Sequence, residues 1–158
     1  MYLLNEYLES VRTTVFRQAM FSEFERDLYA RAEAGEAITA DMLDEMWKKL
    51  NVKYYGPQMV VDKEIVGEWS RIPHFYYNFY VYQYVTGFSA ANALAAQILS
   101  EGEPARDRYL GFLKSGGSDY SIELLKKAGV DMSSPEPIKL TIQRFERMLD
   151  ELEKLLQE

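Results

Sequence analysis

Apolar residues recur along this chain at three- and four-residue intervals, the spacing of amphipathic helices rather than of strands. Leu4, Leu8, Val11 and Val15, followed by Phe21, Phe24 and Leu28, predict one long helix over residues 3–33, with Gly35 as its stop. Thr39 is placed to cap a second helix through Met42, Leu43, Met46, Trp47 and Leu50. Gly56 and Pro57 mark a turn, and Pro73 forces a change of direction after the short stretch Met59 to Trp69. Further on, residues 104–114 read as a short helix and SGGSD as a loop. Ser118 or Asp119 starts another short helix through Leu124 and Leu125, ended by Gly129. Pro135 and Pro137 open a last helix whose stripe is Ile138, Ile142, Phe145, Leu149, Leu152 and Leu156. Only Val60-Val61 has any strand character.

Between Ile72 and Ser100 there is no Asp, Glu, Lys or Arg, the longest uncharged run in the chain. Its second half, GFSAANALAAQIL, is dense in small residues. Its length suits a membrane span. Asn78, Gln83, Asn92 and Gln97 argue against one, as do tyrosines grouped in one half rather than at both ends. A helix apolar nearly all round is otherwise a core helix. The expected fold is all-α: a multi-helix bundle around a buried central helix of about residues 75–100, in a single domain, 1–158. No repeat, low-complexity tract or linker interrupts it.

Composition narrows the function. The net charge of −7 and the lack of a Lys/Arg stripe exclude a nucleic-acid backbone as partner and give no basis for docking on anionic membranes. The absence of cysteine removes disulfides, zinc–thiolate sites and thiol nucleophiles. The start, MYLLNEYLESVRTT, lacks the basic residues and unbroken apolar core of a secretory leader, so a cytoplasmic setting is expected. His74 is the only histidine, so an H-E-x-x-H zinc motif cannot be formed by these residues. Only a carboxylate-rich site could hold a metal, and that would suit calcium or magnesium; no spaced calcium-loop pattern is present. No G-x-S-x-G or Gly-rich phosphate loop appears either.

The chain carries 12 Tyr, unusually concentrated in R-I-P-H-F-Y-Y-N-F-Y-V-Y-Q-Y, Arg71 to Tyr84. On a helix, Tyr77, Tyr80 and Tyr84 would share a face, with Tyr76 and Tyr80 one turn apart. A phenol, with a pKa of about 10, remains a hydrogen-bond donor at neutral pH. Donors fixed in a dry cleft stabilise a developing oxyanion better than water does. The alternative is a tyrosine-rich core whose hydroxyls meet backbone carbonyls, with His74 capping or packing. A second group, Arg17, Gln18 and Glu25, lies among large apolar residues of the first helix. It is either a network bracing a site wall or a set of ordinary surface pairs. Asp62, Lys63, Glu64 and Glu68 are expected to form a solvated charged segment.

Three stretches together resemble oligoendopeptidase F, a bacterial branch of the thimet oligopeptidase family: YLLNEYLESVRTTVFRQAMFSEFE, RIPHFYYNFYVYQYVTGFSAANALA and YLGFLKSGGSDYSIELLKKAGVDMSSPEPI. They occur in the family's order over nearly the whole chain, and the middle one is specific. The resemblance implies the C-terminal part of a largely helical catalytic domain that hydrolyses short peptides with a zinc-bound water. In that family the zinc ligands and the general base come from H-E-x-x-H and a downstream Glu, N-terminal to the stretch matched here. Zinc is thus implied for the complete enzyme and no metal for these residues alone, which are expected to be inactive by themselves. The family's C-terminal histidine and tyrosines bind the substrate carbonyl and stabilise the tetrahedral intermediate. The matching positions are His74, Tyr77 and Tyr80, with Tyr76 and Tyr84 as further members.

Two readings with different partners follow. In the first, these residues form one wall of a peptide cleft completed by an N-terminal catalytic lobe. In the second, they form a non-catalytic helical module that self-associates.

Overall fold

A computed structural model describes residues 1–157, and among these every regular element is helical. The elements are α1 (Tyr2–Val11), α2 (Arg17–Glu33), α3 (Ala40–Tyr55), α4 (Tyr82–Glu101), α5 (Glu103–Ser115), α6 (Ser121–Lys127) and α7 (Glu136–Gln157). A π turn, Arg12–Phe16, joins α1 to α2, and 3₁₀ turns cover Ile65–Arg71 and Pro73–Tyr76. The all-α expectation holds, and no strand forms at Val60-Val61. Two local signals act as expected. Gly35 takes φ +76 just past α2, and the Thr39 hydroxyl accepts from the Met42 amide at 3.3 Å to cap α3.

The uncharged helix differs from expectation at its start and in its burial. It begins at Tyr82, not near residue 75, because Asn78 and Phe79 take left-handed backbone (φ 49 and 56) that a right-handed helix cannot contain. Its buried residues, Val85, Ser89, Ala90, Ala93 and Leu94, fall on one side, while Ala91, Ala95, Ala96 and Leu99 are exposed. Alanine and serine allow a helix to be uncharged and still wet.

The chain divides into two compact units, one of Arg12–Tyr84 and one of Met1–Val11 with Val85 onward. In the first, Met20, Phe21 and Phe24 of α2 face Leu43, Trp47 and Leu50 of α3. Both sets follow i, i+3/i+4 spacing, so each helix presents one apolar stripe. Phe24 meets the Trp47 ring edge-on at 5.1 Å, and Phe21 meets it at 5.1 Å. Ile72 and Val81 close the same core from the segment that follows. Each fully buried large side chain of this kind contributes about 1.5–3 kcal/mol of transfer free energy.

In the second unit, Ala90, Ala93 and Leu94 of α4 pack with Ala128 and Val130, flanked by Tyr109, Phe112, Leu125 and Met132. The Tyr7 hydroxyl donates to Asn92 Oδ1 at 3.0 Å, and the Arg144 guanidinium lies over the Tyr7 ring at 5.1 Å, tying α1 to α4 and α7. The start of α7 is buried at Pro137 and Thr141, whereas Leu149 and Leu156 of its stripe remain exposed. Its apolar stripe is therefore only partly covered. No helix among the described residues is long and apolar enough to cross a membrane.

Candidate functional site

The segment Ile72–Tyr84 lies in the Arg12–Tyr84 unit and is pinned to its core at three points. Ile72, extended as the residue before a proline must be, is buried. Phe75 packs against Phe21 (5.5 Å), Phe24 (5.1 Å) and Trp47 (5.9 Å). Val81 is fully buried. Between these anchors the Tyr77 amide donates to the His74 carbonyl at 3.0 Å, closing a tight turn from which the other rings project.

Those rings form one cluster around His74. The Tyr80 ring stacks on the imidazole at 5.6 Å and 22°, and Tyr77 and Tyr84 meet it edge-on at 6.1 and 5.9 Å. Tyr80 also contacts Tyr77 (6.0 Å) and Tyr84 (5.7 Å). The Tyr84 hydroxyl lies 3.2 Å from His74 Nε2, donating to the bare nitrogen or accepting from its proton according to the tautomer. A hydrogen bond with Tyr80, ahead of partial burial, holds the Tyr84 phenol above its ordinary pKa, so Tyr84 stays protonated well past neutrality. Tyr76 lies outside this set of ring contacts and is 76% exposed.

His74, Tyr77, Tyr80 and Tyr84 therefore come together, though through a turn and not through one helical face. They are not a buried core: Tyr77 is 59% and Tyr80 38% exposed, so the cluster is reached by solvent. Open phenols beside an imidazole can donate hydrogen bonds to a carbonyl oxygen at neutral pH.

The turn is braced from α2. Glu25 is only 2% exposed, and its Oε1 accepts from the Phe79 amide at 2.7 Å. Tyr29, one helical turn on, donates its hydroxyl to the Phe75 carbonyl at 3.3 Å and sets its ring edge-on to Phe79 at 4.7 Å. Burial, and then the neighbouring Glu25 charge, push the Tyr29 phenol up. Left-handed backbone at a residue other than glycine costs about 1–2 kcal/mol, and Phe79 is not of the Asn type that visits this region readily, as Asn78 is. A hydrogen bond to a charged acceptor contributes about 1.5–3 kcal/mol, enough to offset one such residue.

A second brace precedes the turn. Arg17 Nη2 lies 2.6 Å from Glu68 Oε1, the same oxygen that meets Arg71. Glu68 is therefore not part of a solvated charged segment: its side chain is only 4% exposed, since two guanidiniums neutralise it inside the fold. Arg17 and Glu25 do not pair with each other; each holds a different end of the aromatic segment. The sequence reading missed Tyr29, Phe75 and Phe79. The i, i+4 step from Glu25 to Tyr29 was visible, but Phe79 became findable only once its backbone conformation was known. Among the described residues no group of three or more His, Asp or Glu side chains could hold a metal. The residues present do not fit the zinc site of an H-E-x-x-H peptidase.

The family model described as "Peptidase family M3" matches residues 1–144. Oligopeptidase PepF of Bacillus subtilis strain 168 is 60% identical over 156 residues, covering 99% of this chain and 23% of that protein. A plasmid oligoendopeptidase F of Lactococcus lactis subsp. cremoris is 46% identical over 155 residues, covering 98% of this chain and 26% of its own length. The crystal structure of oligoendopeptidase-F from Enterococcus faecium superposes with a TM-score of 0.95 at 51% identity, over 99% of this chain and 30% of that one. The chain spans about a quarter of the length of the curated relatives it matches.

Proposed function

Because this chain belongs to peptidase family M3, we propose that it is the C-terminal, substrate-binding part of an oligoendopeptidase F-like enzyme acting on short peptides. The observation that carries the proposal is the solvent-reached ring cluster on a braced turn: His74 with Tyr77, Tyr80 and Tyr84. Its chemistry is donation. The Tyr77 and Tyr80 phenols, with His74, hydrogen-bond the carbonyl oxygen of the scissile peptide and strengthen that grip as negative charge develops there. Tyr84 orients the imidazole through its 3.2 Å contact with Nε2. Removing one such donor costs about 10²–10³ in kcat in comparable sites.

Zinc, when bound, supplies the activation of water, and its ligands lie outside the residues of this chain. The partners are therefore a short peptide and the lobe that carries those ligands. The setting we infer is cytoplasmic, a reading supported by the absence of cysteine. We take residues 1–158 as one partial peptidase domain; the unbroken family match over 1–144 supports this. A second reading, a helical module that self-associates, draws on the exposed Leu149 and Leu156 of α7.

One experiment separates the two. With a single histidine, the imidazole C–H resonances of the chain are unambiguous. Titration with a short peptide shifts them in the parent, and the response is lost in Tyr80→Phe. A chain that sediments as a stable dimer, with no peptide response at His74, would support self-association and overturn the first reading.

A further inference from the structure

We propose that Glu25 is a positioning residue for the aromatic site: through the Phe79 amide, its buried carboxylate holds residues 78–79 in left-handed backbone and so stacks the Tyr80 ring on His74. This rests on the reading of His74, Tyr77 and Tyr80 as a carbonyl-binding group, and it adds a residue that touches neither substrate nor ring.

A carboxylate buried to 2% exposure is costly to keep and needs a donor for its charge. The Phe79 N–H is that donor, at 2.7 Å, with the Tyr29 hydroxyl as its neighbour. Phe79 stands directly before Tyr80, and Val81 after it is fully buried. Tyr80 thus sits between two fixed points, and its ring direction follows from the Phe79 dihedral. If Phe79 relaxed to φ below zero, the chain from His74 to Val81 would have to take another path, and the 22° stack on His74 would not survive. Tyr29 works with Glu25 on the same turn, bonding the Phe75 carbonyl at 3.3 Å and packing on the Phe79 ring. One face of α2 thereby sets both ends of the loop that carries the donors.

The test uses the full chain and the His74 imidazole resonances. A tyrosine ring stacked on the imidazole displaces them upfield by its ring current, independently of any peptide. Glu25→Leu removes the acceptor at similar volume, and Glu25→Gln keeps a carbonyl oxygen for the Phe79 N–H. Glu25→Leu is expected to lose the upfield displacement, with tryptophan emission from Trp47 and Trp69 unchanged, and to weaken peptide affinity about tenfold as the competent loop becomes a minority state. Glu25→Gln is expected to retain most of both.

An upfield displacement that persists in folded Glu25→Leu would overturn the proposal. If Glu25→Leu does not fold, amide exchange in the unsubstituted chain decides. The Phe79 N–H is expected to exchange at least about a hundredfold more slowly than an open-loop amide, and exchange at the open-loop rate would overturn the proposal. If the displacement depends on Glu25 while peptide leaves His74 unmoved even in the parent, the positioning role stands and the carbonyl-binding reading falls.

Discussion

Replacing Phe24 with alanine should remove most of the stability of the Arg12–Tyr84 unit. Phe24 is fully buried, and its ring is walled by Trp47 and Phe75 at 5.1 Å and by Trp69 at 6.5 Å. Phe→Ala in a core costs about 3–5 kcal/mol, the upper part applying where neighbours cannot collapse into the space. Here the walls are rigid rings with anchors of their own, and Trp69 is further tied by its indole N–H to Asp44 Oδ1 at 2.7 Å. The expected loss is therefore about 4 kcal/mol, against a total of about 5 kcal/mol for a small unit. With a urea dependence of about 1.5 kcal/mol per molar, the midpoint should fall by roughly 2–3 M. Both tryptophans of the chain lie in this unit, so tryptophan emission during urea titration reports on it alone. Tyr76→Ala, at a largely exposed position, should change the midpoint by no more than about 0.5 kcal/mol equivalent. A loss below about 1 kcal/mol in Phe24→Ala, or one equal to that of Tyr76→Ala, would refute the packing described for this core. The consequence reaches the site, because Phe75 rests on Phe24 and His74 immediately precedes it.

Two further predictions concern charge. Burial first, and then hydrogen bonding to Glu23, hold the Tyr54 phenol at about 12, above its ordinary 10. Below pH 10 the folded and unfolded chains are both protonated there; between 10 and 12 only the unfolded chain loses the proton, so stability falls with rising pH through that window. Two units would be about 2.7 kcal/mol, reduced to about 1 kcal/mol by solvent around this partly exposed group, and thermal melts of Tyr54→Phe at pH 9 and 11 should lack that fall. Arg17→Met should destabilise the unit by about 2–3 kcal/mol in urea melts by leaving Glu68 with Arg71 alone, and Arg17→Met with Glu68→Met should restore most of the loss. Equal stability of the single and double variants would refute a buried charge balance.

The parts of this fold that rest on local pattern were legible in the sequence. Helix spacing placed α2, α3 and α7, Thr39 gave its cap, and Gly35 its stop. What failed depends on backbone states and on distant partners. Asn78 tolerates left-handed backbone, but nothing in Phe79 signals it; the acceptor of its amide is an acid 54 positions earlier in the chain. Glu68 reads as one of several surface charges until Arg17 is brought to it across 51 positions. The tyrosine row was legible as a group because its members are close in sequence. Its geometry was not: helical spacing gave the right partners by the wrong route, through a turn that happens to gather the same rings.

The central claim is that the ring cluster grips the carbonyl of a peptide as it is cleaved. It is tested most directly by grafting this chain into a whole-length family M3 relative in place of the matching segment and measuring kcat and KM on a fluorogenic short peptide. The parent graft should be active, Tyr80→Phe should lower kcat by about 10²–10³ with KM changed by no more than about threefold, and His74→Ala should lower kcat as well. An active parent graft whose Tyr80→Phe and His74→Ala variants both keep kcat within about threefold of it would contradict the account.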